Sequence, residues 1–354
     1  MVDKIDEPLA SANDSVPLAD GSVPLADGSV PLADGSVPLA GRVAVVGAGS
    51  VGSWLASVLK SHGVAVEFIA RPDGSREPKK VHCTLANGTV LQETLPCGPA
   101  SAAEGELDWI FVTVKAGEVE NVSRQISGLI TSKTKVVLFG NGLGLEETFV
   151  DQKQKSLLAA SVTYGLLRES DHKVVIRGSG GEVCVGPLDH HEASARFADM
   201  LSASFRRMGL ISTVVSDGFE QAWRKAVLSA GLNPVAALQG IENGELPQSA
   251  GYPLALEASR EVIKVAQARG LDLLDMDVEQ ELILLCQKTA TNRCSMLQDL
   301  DAGRDTEVDW INGAIVRAGK THGVDTPANR LLLESMERAH SAKSEPHLTM
   351  VPHE

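Results

Sequence analysis

Arg42-Val43-Ala44-Val45-Val46-Gly47-Ala48-Gly49-Ser50-Val51-Gly52 sets a G-x-G-x-x-G hexapeptide directly after a β-branched run. The residues that follow, Ser53 to Lys60, carry apolar side chains at helical spacing. Lodged between a strand and a helix, the motif is the dinucleotide fingerprint. Gly47 permits the tight turn, Gly49 lets the backbone approach a pyrophosphate, and Gly52 lets helix pack on strand. Ala48, Ser50 and Val51 complete the cradle, and the helix start offers free N–H groups to phosphate. The next strand, residues 64–70, ends in Arg71. An NAD site favours a carboxylate near that strand end to hold the ribose diol, whereas an arginine suits a 2′-phosphate. Glu67 is a rival carboxylate, but it lies inside the apolar run rather than at its end. The cofactor expected is therefore NADPH/NADP+.

Outward from this motif the chain alternates strand and helix. Strands are expected at 42–46, 64–70, 108–114, 135–139 and 158–163, with a hairpin formed by 173–177 and 182–186. A helix near 191–208 and a strand near 211–215 follow. The alternation predicts a parallel, doubly wound, Rossmann-type α/β sheet over 42–215. From 217 onward strand signals vanish. Helical patterns run about 218–240, 252–270, 276–289, 295–303, 305–323 and 327–342, giving an all-helical C-terminal domain over 216–342 and a tail at 343–354. Ligands in such sheets sit at the carboxyl ends of the strands, so a cleft between the two domains is the expected active site.

The N-terminus has a different character. Ser15-Val16-Pro17-Leu18-Ala19-Asp20-Gly21 recurs at 22–28 and 29–35, and a fourth, incomplete copy ends at Ala40. A proline in every copy removes a helix donor each turn, which argues against a coiled coil. Asp3, Asp6, Glu7, Asp14, Asp20, Asp27 and Asp34 face Lys4 as the only lysine or arginine in residues 1–41. This is neither a signal peptide nor an arginine-rich transit peptide, and it reads as a disordered acidic repeat extension, the alternative being a docking or targeting arm. The whole chain has 354 residues, 43% hydrophobic, with a net charge of −14. That disfavours a general nucleic-acid or anionic-membrane binder. No apolar run approaches the ~20 residues of a membrane span. Five cysteines without a C-x-x-C fit a reduced, cytoplasmic compartment, and nothing resembles a zinc site.

Chemistry concentrates in four places. Lys225, Ser229 and Asn233 are spaced i, i+4, i+8 and share one face of an otherwise apolar helix, where a polar stripe needs water, partners or a ligand. Burial would lower the lysine pKa and suit it to general acid work, the alternative being a packed stem with its ammonium in water. Pro234 is expected to kink that helix or end its first part. Asn141-Gly142-Leu143-Gly144 follows the strand 135–139 at its carboxyl end, placed to meet cofactor or substrate; an ordinary Asn-Gly turn is the rival. Lys115 closes the preceding strand and either faces the cleft or reaches solvent. Ser295 with Gln298 fits a capping box, and Glu307 falls in the first turn of the next helix.

Taken together these segments resemble the ketopantoate reductase family (2-dehydropantoate 2-reductases) from about 42 to 340. Val114-Lys115-Ala116, Asn141 to Gly144, Lys225 to Asn233-Pro234, Asn243-Gly244-Glu245-Leu246, Ser295 to Asp299, Thr306-Glu307-Val308-Asp309 and Ile311-Asn312-Gly313 occur in the family's order. The resemblance implies NADPH-dependent reduction of a small 2-oxoacid, ketopantoate, to pantoate in pantothenate biosynthesis. It implies Lys225 as catalytic acid and Glu307 in the active site. Asn141, Asn233 and Ser295 would bind substrate, and Arg71 would contact the 2′-phosphate. Four residues after the lysine many members have asparagine, whereas this chain has Ser229, which lacks an amide's two donors. Another 2-oxoacid or carbonyl substrate is one alternative, and a non-catalytic NADPH-binding sensor is another. A homodimer through the helical domain is also expected.

Overall fold

The computed structural model describes residues 39–344, apart from 75, 150–155, 178–180 and 190. The repeat extension up to residue 38 and the tail from 345 lie outside the described residues. In chain order the strands and longer helices are β1 (Arg42–Val46), α1 (Ser50–Ser61), β2 (Ala65–Ala70), β3 (Lys79–Thr84), β4 (Val90–Leu95), β5 (Cys97–Pro99), β6 (Trp109–Val112), α2 (Val119–Ile126), β7 (Lys135–Leu138) and β8 (Ser156–Val162). Then come β9 (Gly165–Ser170), β10 (Lys173–Arg177), β11 (Val183–Pro187), α3 (Glu192–Arg207) and β12 (Ser212–Val214). The rest is helical: α4 (Gly218–Gln239), α5 (Tyr252–Ala268), α6 (Val278–Lys288), α7 (Ser295–Asp301), α8 (Ala314–His322) and α9 (Pro327–Ser344).

The main sheet has eight strands in the order β12-β11-β8-β7-β6-β1-β2-β5. From β5 to β8 neighbouring strands run parallel, and β1 and β6 are buried along almost their whole length, as a sheet covered on both faces requires. Two expectations are corrected here. The sheet is mixed, because β11 runs antiparallel to β8. The hairpin of 173–177 with 182–186 does not form either. β10 joins a separate four-stranded sheet, β4-β3-β10-β9, parallel to β3 and antiparallel to β9, while β11 stays in the main sheet between β8 and β12.

The main core gathers Trp54, Phe68, Trp109, Phe111 and Phe205, all at most 1% exposed. A second core fills the helical region around Trp223, Val227, Val262 and Leu282. Its tightest seam lies between α4 and α5. A Cβ on Gly231 would sit 2.4 Å from the Ala255 carbonyl oxygen and 2.5 Å from Ser259 Oγ, so only glycine lets the helices approach this closely. All five thiols are free: Cys83, Cys184, Cys286 and Cys294 are buried and Cys97 is partly so. Burial pushes Cys83 up to about 12 and Cys286 and Cys294 to about 11.

Helix α4 runs through Pro234, so of the two outcomes expected there the helix does not end. The capping box expected at Ser295 is also absent. Cys294 occupies the N-cap of α7, its Sγ accepting from the Leu297 N–H at 3.4 Å, while Gln298 Nε2 donates to the Arg293 carbonyl at 2.9 Å. Ser295 is left exposed, one place further on. The helical pattern of 305–323 is broken into a π-turn, Asp309–Gly313, followed by α8.

Candidate active site

The glycine loop closes on itself at the carboxyl end of β1. Gly47 holds φ at +105°, in the region that favours glycine. A Cβ on Gly52 would lie 1.9 Å from the Gly47 carbonyl oxygen and 2.5 Å from Thr113 Oγ1. Thr113 itself donates to the Val46 and Gly47 carbonyls at 3.0 and 2.7 Å, pinning the turn to β6. A Cβ on Gly49 would meet nothing within 4 Å, and Gly49, as N-cap of α1, gives its first turn neither a side-chain bond nor an acid. The loop leading into α1 thus borders an open groove, with Gly47, Ala48 and Gly49 on one side and Arg71 beside them. That combination fits a dinucleotide's phosphates.

Arg71 follows β2 directly. Its side chain is 77% exposed and meets Glu118 at 3.8 Å. Glu67, the rival ribose ligand, is tied instead to Arg42 at the start of β1. The geometry leaves a cation and no carboxylate of β2 at the strand end, the arrangement that favours a 2′-phosphate.

A second, narrow cleft opens where α4 crosses the carboxyl ends of β7 and β8, lined by Asn141, Cys184, Lys225 and Ser229. Lys225 Nζ donates to Asn141 Oδ1 at 2.7 Å and to the Val162 carbonyl at 3.4 Å. Asn141 Nδ2 donates in turn to Glu307 Oε2 at 2.9 Å, and the other carboxylate oxygen accepts from the Ala116 N–H at 3.1 Å. An ammonium on one side and a carboxylate on the other fix which end of the amide is oxygen. Burial pushes the Lys225 pKa below its usual value, opposed by the Glu307 charge. Burial likewise raises Glu307, opposed by its bonds from Asn141 and Ala116 and by Lys225. Among the described residues two of the ammonium's three protons have acceptors, which leaves the third for a bound oxygen.

Among the expected site residues, Lys225, Asn141 and Glu307 are joined in one chain of bonds. Ser229 lies one turn along α4 in the same cleft. Asn233 and Ser295 are brought near each other because Cys294 Sγ donates to the Asn233 carbonyl at 3.4 Å. Side chains of Ser229, Asn233 and Ser295 take no hydrogen-bond partner among the described residues; Ser229 lines the cleft, whereas Asn233 and Ser295 are not among the residues lining it. Lys115 turns toward the helical region, meeting Asp299 Oδ1 at 3.0 Å and the Asp305 carbonyl. Two members of the site, the Ala116 N–H and the Val162 carbonyl, carry no side-chain signal that sequence reading can use. Trp310 is a further one: its carbonyl accepts from the Leu143 N–H at 3.0 Å and its backbone packs on Gly142, which holds φ at +105°. The Asn141 loop is thereby clamped to the turn that follows Glu307.

Known proteins sort with this geometry. The family described as ketopantoate reductase PanE/ApbA matches residues 43–190, and its C-terminal part matches 219–339. A 2-dehydropantoate 2-reductase of Archaeoglobus fulgidus is 32% identical over 295 residues, 82% of this chain and 95% of that protein. A D-mandelate dehydrogenase structure with NADH and anilino(oxo)acetate superposes with a TM-score of 0.75 at 26% identity, covering 85% of this chain and 99% of that one. A PanE/ApbA family ketopantoate reductase from Ralstonia eutropha shares the fold with a TM-score of 0.74 at 23% identity, over 86% of this chain and 100% of that one.

Proposed function

The chain belongs to the ketopantoate reductase family, and from that premise we propose that it reduces 2-dehydropantoate (ketopantoate) to pantoate with NADPH. The observation that carries the proposal is the bonded chain Lys225–Asn141–Glu307, set on the same edge of the sheet as the glycine loop. The residues from Gly47 to Gly52 would hold the pyrophosphate and Arg71 the 2′-phosphate. Lys115, Asn141 and Glu307 would border the reactive end. Bound there, the reduced nicotinamide supplies the hydride that the 2-oxo carbon accepts.

Lys225 supports the reaction from the other side. As negative charge grows on the carbonyl oxygen, the ammonium stabilises it and passes its free proton to that oxygen. Asn141 aims the ammonium by accepting one of its protons. Glu307 holds the amide in place and keeps the lysine charged. Ser229, Asn233 and Ser295 would hold the carboxylate and hydroxyl ends of the substrate in near-attack geometry. Among the described residues no helix is long and apolar enough to cross a membrane. We keep a cytoplasmic homodimer, joined through the helical region, within the same proposal. Exposed Leu274, Leu284 and Leu331 support it, and sedimentation velocity tests the dimer.

A second reading rests on Ser229, whose shorter side chain leaves room where many family members carry asparagine. It assigns a different 2-oxoacid to the same chemistry. NADPH oxidation, followed by absorbance with ketopantoate and a panel of small 2-oxoacids, separates the two. Turnover of ketopantoate above all others supports the first reading, and preference for another acid supports the second. Binding of NADPH with no turnover anywhere would reject both in favour of a sensor.

A further inference from the structure

Pro234 sits inside α4 and brings no N–H. In an unbroken helix that N–H would bond the carbonyl four residues back, which belongs to Ala230. Ala230 is fully buried, so no water replaces the missing donor. The donor comes from elsewhere in the chain: Asn312 Nδ2 donates to the Ala230 carbonyl at 2.9 Å. Asn312 is itself completely buried and belongs to the π-turn that follows Glu307. Glu307, just before that turn, sends its carboxylate to Asn141 and Ala116, while Asn312 within the turn reaches α4.

The amide is held from behind. Asn312 Nδ2 also donates to Asn329 Oδ1 at 3.0 Å. Asn329 Nδ2 donates to the Ala258 carbonyl and to Glu261 Oε2, at 2.9 and 2.7 Å. Glu261 accepts further bonds from the Ala328 and Asn329 N–H groups. Ser229 and Asn233 flank the carbonyl this network serves, and Lys225 lies one turn before Ser229 on the same helix.

We infer that Asn312 is a positioning residue: it supplies the hydrogen bond that Pro234 withholds from Ala230, and so sets the Ser229–Asn233 turn of α4 in register with Glu307. The inference rests on the reading that this cleft reduces a 2-oxoacid. A helix that bonded all its own carbonyls would hold its shape independently of the turn carrying Glu307. Here the two walls of the cleft share one bond, and π-turns concentrate at functional sites for this kind of reason.

The test is a cycle of Asn312→Ala, Pro234→Ala and the double variant, because alanine at 234 restores the helical N–H. Asn312→Ala is expected to raise KM for the 2-oxoacid on the order of tenfold, the size of a typical coupling between neighbouring groups. It should lower kcat as well and leave NADPH binding, followed by fluorescence, unchanged. The double variant should recover both KM and melting temperature to near those of Pro234→Ala. Asn329→Ala, which loosens the Asn312 amide but keeps its donor to Ala230, should lower the melting temperature while moving KM much less than Asn312→Ala does. A merely structural asparagine would reduce the folded fraction and leave KM of the folded enzyme alone. An unchanged KM in Asn312→Ala, a double variant no better than the single one, or an equal KM rise in Asn329→Ala overturns the inference. Should Asn312→Ala not fold, folding of the double variant with near-normal KM supports it, and its failure to fold overturns it. The kinetic arms use whichever 2-oxoacid the unaltered enzyme reduces, and the melting cycle needs none, so an error in the substrate reading is seen separately.

Discussion

Lys225 must be protonated to act as an acid, so activity is present below its pKa and lost as pH rises through it. Burial sets that pKa below the usual lysine value of 10.5, and the Glu307 charge holds it up. The alkaline limb of the kcat profile should therefore fall below 10.5, and Glu307→Gln should move it lower still; a shift to higher pH would reject the coupling. Lys225→Ala should cost on the order of 10²–10⁴ in kcat while NADPH binds as before, and near-normal turnover would remove Lys225 from the mechanism. Arg71→Ala should raise KM for NADPH by about tenfold more than KM for NADH, the worth of one charge-assisted hydrogen bond; an unchanged ratio would free Arg71 of the phosphate role. At this level the sequence is legible where a polar side chain interrupts an apolar pattern, as at Lys225. It is silent where backbone groups complete the site. The Val162 carbonyl and the Ala116 N–H reach Lys225 and Glu307 across 63 and 191 positions, and every residue has such groups. The Ser295 capping box failed for a related reason, since the thiol of Cys294 fills the N-cap one residue earlier.

Elements were legible in proportion to their burial. The run Arg42–Val46 and the helix after it are apolar where they meet the core; the strand matches its expected bounds, and the helix starts three residues before the expected Ser53. The four-stranded sheet escaped because its strands are half exposed. Lys79–Thr84 and Val90–Leu95 alternate buried and solvent-facing positions with several charges, a weak pattern over six residues. The partner of β10 lies about ninety residues earlier in β3, and local reading favours the nearer run. The helix expected at about 218–240 does run through Pro234, and a donor supplied by Asn312 from 82 residues away serves the carbonyl that the proline leaves. The close seam of α4 and α5 gives a test at this level. Gly231→Ala should destabilise the protein by about 1–3 kcal/mol through overpacking, read as a lowered denaturant midpoint. No change in midpoint would mean that the two helices separate at little cost.

Across the whole molecule, two apolar clusters cover the faces of the main sheet, another fills the helical region, and a seam of polar bonds joins sheet to helices. Lys115 to Asp299, Ala116 to Glu307, Asn141 to Glu307 and to Lys225, and Leu143 to Trp310 all cross from the sheet region to the helical one. The cleft was expected from the order of the chain, an alternating half followed by a helical half. Its crossing pairs were not, because they depend on how the halves dock. Buried thiols lie on both sides of this seam, Cys83 in a core of the sheet region and Cys286 and Cys294 among the helices. In the native state these groups are almost entirely protonated and shielded at neutral pH, so an alkylating reagent reaches them only when their surroundings open. The enzyme therefore carries its own clocks, one set in each half. Pulsed alkylation with peptide mass spectrometry should give Cys286 and Cys294 one rate and Cys83 another, with NADPH slowing Cys83 more strongly. A single shared rate, slowed equally by the nucleotide, would mean that the halves come apart only together.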